Sequence, residues 1–277
     1  MWNVLPRCLQ IHIIRLLLTH PGVDTLKQIS ILACISRSFD ELTHAAVRCT
    51  ATSVLRTGGY HPLASQSRLS NTLIALAPSL DELDLSRELV VTRDMWSILL
   101  RAVNACFDLK VLRLDHCQHM PAAALDRLLS VTPKLHTLSL VSCQLAVDTS
   151  CSSWLPSLTE LKHLDVSWCH HFSPPRGWLG ALPSLESLRV KGCDQLDVVD
   201  LRQHLTSVKK LEILDVAFIS AIDDSFLCSL PPMHASLRHV ILAGPSENLW
   251  SCGSWTLQGI KFVRDRAPFI DLKFVYS

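Results

Sequence analysis

The chain of 277 residues is long enough for about two average domains, or for one domain joined to a repeat array. Hydrophobic residues make up 48% and charged residues 18%, so a large core can be buried and a disordered tail is excluded. With 26 Lys+Arg against 25 Asp+Glu the net charge is +1, without the basic excess of a dedicated nucleic-acid binder. No apolar stretch approaches the ~20 residues of a membrane helix; the longest, IHIIRLLL, is broken by His12 and Arg15. The expectation is a protein that binds neither nucleic acid nor membrane.

Residues 1–50 contain no repeat. Leu9, Ile13, Leu16 and Leu17 share one helical face, and Leu26, Ile29 and Ala33 share another. Pro6 suits a first helical turn, and Pro21-Gly22 breaks the chain between the two helices. The segment has no small-residue cleavage site of a secretory signal. With an odd count of 11 cysteines, this favours reduced thiols in the cytoplasm or nucleus. From Met1 to Val23 there are two arginines, two histidines and no acidic residue, which also suits a mitochondrial presequence, although Thr19 is its single hydroxyl residue. Residues 51–79, with Gly58-Gly59 and several serines, read as a connection or an atypical first repeat.

From residue 80 onward the chain repeats. KVLRLDHC ends at Cys117, HTLSLVSC at Cys143, KHLDVSWC at Cys169 and ESLRVKGC at Cys193, at intervals of 26, 26 and 24 residues. Each copy reads L-x-x-L-x-(L/V)-x-x-C, as in Leu109, Leu112, Leu114, Cys117. Copies without the cysteine start at Leu80, Leu211 and Leu237, with Glu88, Ile219 and Pro245 in its place. In L-x-L the two leucines point to one face and the residue between them to the other, the period of a strand. About 20 residues including a helix then return the chain to the next parallel strand, and AALDRLLS, with Leu125, Leu128 and Leu129, is such a helix. Trp96, Trp154, Trp178 and Phe226 fall at similar offsets and are expected to fill the space between strand and helix. The cysteine sits where the chain turns inward, so burial explains it better than metal or disulfide chemistry; Ile219 at the same position fits packing. A final helix in SWTLQGIKFVRDRAP and a last strand through Ile270, Leu272 and Phe274 close the array.

This pattern resembles the leucine-rich repeat in its cysteine-containing variety. The amino-terminal segment resembles the F-box through Leu5-Pro6, Leu9, Ile13 and Leu17, then Leu32, Ile35, Arg37, Phe39 and Leu42. Phe39 stands where that family has tryptophan, Arg7-Cys8 replaces its acidic pair, and the THPGVDT connection is longer. The resemblance implies an α/β leucine-rich-repeat solenoid over 80–277, a horseshoe of parallel strands and helices, preceded by a small α-helical F-box-like unit. It further implies the substrate-recognition adaptor of an SCF-type cullin ubiquitin ligase, with no catalysis of its own. Leu5, Pro6, Leu9, Ile13, Leu17, Ile35 and Phe39 would dock a Skp-type adaptor, and the concave sheet face would hold a protein substrate. The alternative is a repeat scaffold or assembly factor outside ubiquitin transfer, with a mitochondrial amino terminus.

Other chemistry finds little support. In DHCQH and SWCHH the cysteine belongs to the repeat and points inward while its histidines point outward, and no CxxC-type pair completes a zinc site. No local signature marks a Cys-His nucleophile, and Gly58-Gly59 is followed by no Lys-Ser/Thr, so no cofactor, metal or catalytic residue is expected. The open sheet face is the candidate site. One column reads Asp84, Arg113, Ser139, Asp165, Arg189, Asp215, Ile241; a second reads Ser86, Asp115, Val141, Ser167, Lys191, Ala217, Ala243. Opposite charges on adjacent strands can satisfy one another at roughly 0.2–1 kcal/mol per pair. The functional reading is a mixed-charge groove for a protein partner formed by Arg113, Asp115, His163, Asp165, Arg189, Lys191 and Asp215, adjoined by His170 and His171.

Overall fold

A computed structural model describes residues 54–56, 81–86, 108–117, 122–143, 154–233, 236–244 and 253–276. The seven adaptor-docking residues expected between Leu5 and Phe39, and Trp96, lie outside the described residues. Among the described residues nine short strands form one parallel sheet in strict chain order: β1 Val54–Arg56, β2 Glu82–Asp84, β3 Val111–Arg113, β4 Thr137–Ser139, β5 His163–Asp165, β6 Ser187–Arg189, β7 Ile213–Asp215, β8 His239–Ala243 and β9 Asp271–Val275. Register is constant, so Leu83, Leu112, Leu138, Leu164, Leu188, Leu214 and Val240 stack as one buried row. The residues on either side of that row face the opposite way, as strand pleating dictates. β1 adds a strand inside the 51–79 segment.

The return segments lie on the other side and complete the core. Helices α1 (Ala122–Ser130), α2 (Val198–His204), α3 (Asp224–Met233) and α4 (Leu257–Arg266) occupy four of them. Between β4 and β5 the described residues of the return include a 3-10 turn, Leu155–Ser157. The expectation of a helix in every return fails between β5 and β6, where a single 3-10 turn, Trp178–Ala181, replaces it. Pro156 lies at the start of the first. Pro174 and Pro175 withhold donors before the second, which begins at Gly177 with φ +74°. Trp154, Trp178 and Phe226 are buried as the repeat spacing predicts, and Phe172 meets Trp178 edge-on at 5.6 Å. Among the described residues no helix is long and apolar enough to cross a membrane.

Candidate functional site

The site starts from the turn that ends each strand. In four successive copies the cysteine N–H donates to the carbonyl three residues back: Cys117 to Leu114, Cys143 to Leu140, Cys169 to Val166 and Cys193 to Val190, at 3.1–3.2 Å. The third turn residue has positive φ: His116 +59°, Ser142 +55°, Trp168 +62° and Gly192 +66°; Phe218 takes the same place at +59°. A four-residue turn with positive φ at its third position is type II, which favours glycine there. The thiols then bond across copies. Cys143 Sγ donates to Leu114 O at 2.9 Å, Cys169 to Leu140 O at 3.0 Å and Cys193 to Val166 O at 3.2 Å. Each of those carbonyls thus accepts both its own turn N–H and the next repeat's thiol. Burial pushes Cys143 and Cys193 up to about 12 and Cys169 higher still, so these thiols stay protonated.

The aspartates of the first outward column serve the same turns. Asp84, Asp165 and Asp215 each accept, through Oδ1, the N–H two residues on, at 3.0–3.1 Å. Where Ser139 replaces aspartate, Asp115 of the preceding copy accepts the Val141 N–H at 3.0 Å and the Ser139 hydroxyl at 2.6 Å. Asp215 is only 8% exposed, and burial raises its pKa against the opposing pull of the Ala217 N–H, Lys191 and Arg189.

Of the expected groove, the structure gathers His163 and Asp165 on β5, Arg189 and Lys191 at β6, and Asp215 on β7. Arg189 Nη1 lies 3.8 Å from Asp165 Oδ2. Arg113 and Asp115 stand apart near β3, the first paired with Glu82, the second tied to Ser139. At the rim, His170 Nδ1 meets Asp194 at 2.9 Å, and His171 meets Gln195 at 3.4 Å. The column pattern passes over two residues, Trp168 and Phe218. Their ring centres are 5.6 Å apart, and Lys191 Nζ lies 5.4 Å from the first and 4.9 Å from the second. Gly192 makes this approach possible, because a Cβ there would overlap the Trp168 ring. The available signal was the residue just before the repeat cysteine, which reads His, Ser, Trp, Gly and then Phe before Ile219. Among the described residues no group of three or more His, Cys, Asp or Glu side chains is placed to hold a metal ion.

A strand, a type II turn and a return segment, repeated in register on one open parallel sheet, define a leucine-rich-repeat solenoid of the α/β class. The crystal structure of the Rad7 and Elc1 complex in yeast is similar over 84% of this chain and 64% of that one, at 16% identity and a TM-score of 0.54. A leucine-rich-repeat protein of Leptospira interrogans is similar over 73% of this chain and 56% of its own, at 16% identity and a TM-score of 0.41. The chain therefore spans less than two thirds of either, and at such identities the likeness concerns the fold alone. No protein-family model matches the sequence. No curated protein matches it either.

Proposed function

We propose that this chain is a non-catalytic adaptor of the SCF type, working in the cytoplasm or nucleus. Its F-box-like residues 1–50 would dock a Skp-type adaptor and through it a cullin ligase, and its open sheet face would hold the protein to be modified. The observation that carries the binding half is the register of polar side chains across adjacent strands: His163, Asp165, Arg189 and Lys191 stand side by side on one face. A parallel sheet usually has both faces covered. Among the described residues this one leaves a polar, mixed-charge face uncovered by the return segments, the surface a solenoid offers to partners. The neighbour solved as a complex with a second protein, Elc1, is in keeping with that use of the fold. The docking half rests on Leu5, Pro6, Leu9, Ile13, Leu17, Ile35 and Phe39 and on the order of the two segments along the chain.

Co-purification of the intact chain with the Skp-type adaptor of its own organism tests the reading, compared with the double substitution Pro6→Ala, Ile13→Asp. Circular dichroism checks that the solenoid stays folded. Capture by the intact chain and its loss in the double variant support the adaptor reading. Failure of the intact chain to capture the adaptor removes the ubiquitin half and leaves a leucine-rich-repeat binding module.

A further inference from the structure

Over β5 to β7 of the open face the fold accepts a costly residue where a cheap one would serve. The third turn position requires positive φ, and glycine fills it at Gly192 without strain. Its neighbours two strands apart are Trp168 and Phe218, bulky residues for which such a φ is an outlier. Trp168 is nevertheless 38% exposed, so core packing does not account for it. A partly exposed aromatic held at such a φ is the kind of feature that points to binding.

The charges around the rings are sorted by depth. Asp215 is buried, and Asp165 has one oxygen on the Ser167 N–H and the other facing Arg189. Asp194, on the rim, is engaged by His170. The cations at the rings are the Arg189 guanidinium, with half its side chain exposed, and the half-buried Lys191 ammonium, which lies over both rings. A partly exposed apolar surface with cations against it suits an aromatic or aliphatic anchor next to a carboxylate. Resting on the reading of the open face as a protein-binding surface, we infer that Trp168, Phe218, Lys191 and Arg189 form a docking site for an extended protein segment in which an acidic residue adjoins a large apolar one. Trp168 and Phe218 cover the apolar side chain; Lys191 and Arg189 receive the carboxylate.

The test selects a displayed library of random peptides on the intact chain and measures the enriched peptide, synthesised with a fluorescent label, by anisotropy. The expected enrichment places Asp or Glu within two positions of Phe, Trp, Leu or Ile. Affinity should fall at least tenfold in Trp168→Gly and in Lys191→Gln, and stay unchanged in Lys110→Gln, which lies beside β3. Glycine satisfies the positive φ at position 168, so that variant should keep its circular dichroism and thermal midpoint. No enrichment, enrichment of peptides lacking acidic residues, or binding indifferent to both variants overturns the proposal. Binding lost only in Arg113→Gln would put the peptide near β3 and overturn this site while leaving the adaptor reading intact. Failure of adaptor capture would leave this result untouched.

Discussion

The buried cysteines show how one side chain can serve two repeats. Each thiol fills a small apolar space and donates to a carbonyl of the copy before it, so replacing it removes both packing and a hydrogen bond. Cys143→Ala should destabilise the fold by about 1–2 kcal/mol in urea unfolding, from the lost thiol bond and the small cavity. In the native protein Cys117, Cys143, Cys169 and Cys193 should not react with a disulfide reagent at pH 8, and among the described cysteines the half-buried Cys228 reacts first. Rapid modification of the four would show that the turns open readily. Asp215 makes an opposite case. Its pKa is raised by burial, so the folded state binds its proton more tightly than the unfolded chain does. Ionisation therefore costs stability as pH rises above the ordinary carboxylate value, and the cost is complete once pH exceeds the folded value. Asparagine keeps an acceptor for the Ala217 N–H but has no charge to desolvate. Asp215→Asn should therefore match the parent in thermal midpoint near pH 3 and equal or exceed it at pH 7; a variant less stable at pH 7 would show that the charge helps the fold through Arg189 and Lys191.

Helices and turns on the return side are held by local polar contacts as much as by the core. Asp197 caps α2 by accepting the N–H groups of Val199 and Asp200, each at 3.0 Å. Asp200, buried in the same helix, accepts the Gly177 N–H of the preceding return and sits 3.1 Å from His204 Nδ1, which ties α2 to its neighbour. Asp224 on α3 does likewise for α4, accepting from the Thr256 N–H at 2.7 Å and its hydroxyl at 2.6 Å. Asp197→Ala should cost about 1 kcal/mol, read from the urea midpoint at unchanged slope. The strands were legible because burying one row of leucines forces a fixed L-x-L spacing, and α1 and α4 because helical periodicity survives in them. The β5–β6 return was not, since proline and glycine override the leucine pattern at Pro175 and Gly177. Trp168 and Phe218 were hidden for a related reason. Residue preference at a type II turn argues against an aromatic, and strand alternation alone does not bring the two rings together under Lys191. The charge columns could be drawn from strand alternation alone, but not the depth of Asp215 or the partner of Arg113, which depend on how each side chain leaves its strand.

In an array ordered β1 to β9, each repeat touches chiefly its two neighbours, and stability becomes a chain of nearest-neighbour links. Leu188 stands in β6 between Leu164 and Leu214, fully buried. Leu188→Ala should cost about 2–5 kcal/mol, from lost transfer energy and the residual cavity. In a globular core such a loss lowers the urea midpoint and leaves the slope alone, because the whole unit still unfolds together. In a linear array it weakens one link, so the segments on either side come apart over different ranges of urea. The variant should therefore unfold in a broader transition of lower apparent slope. Amide exchange should rise in β6 and its two neighbours before β2 or β8. A transition that shifts without broadening would mean that coupling along the stack exceeds the loss at one strand and that the repeats unfold as one unit.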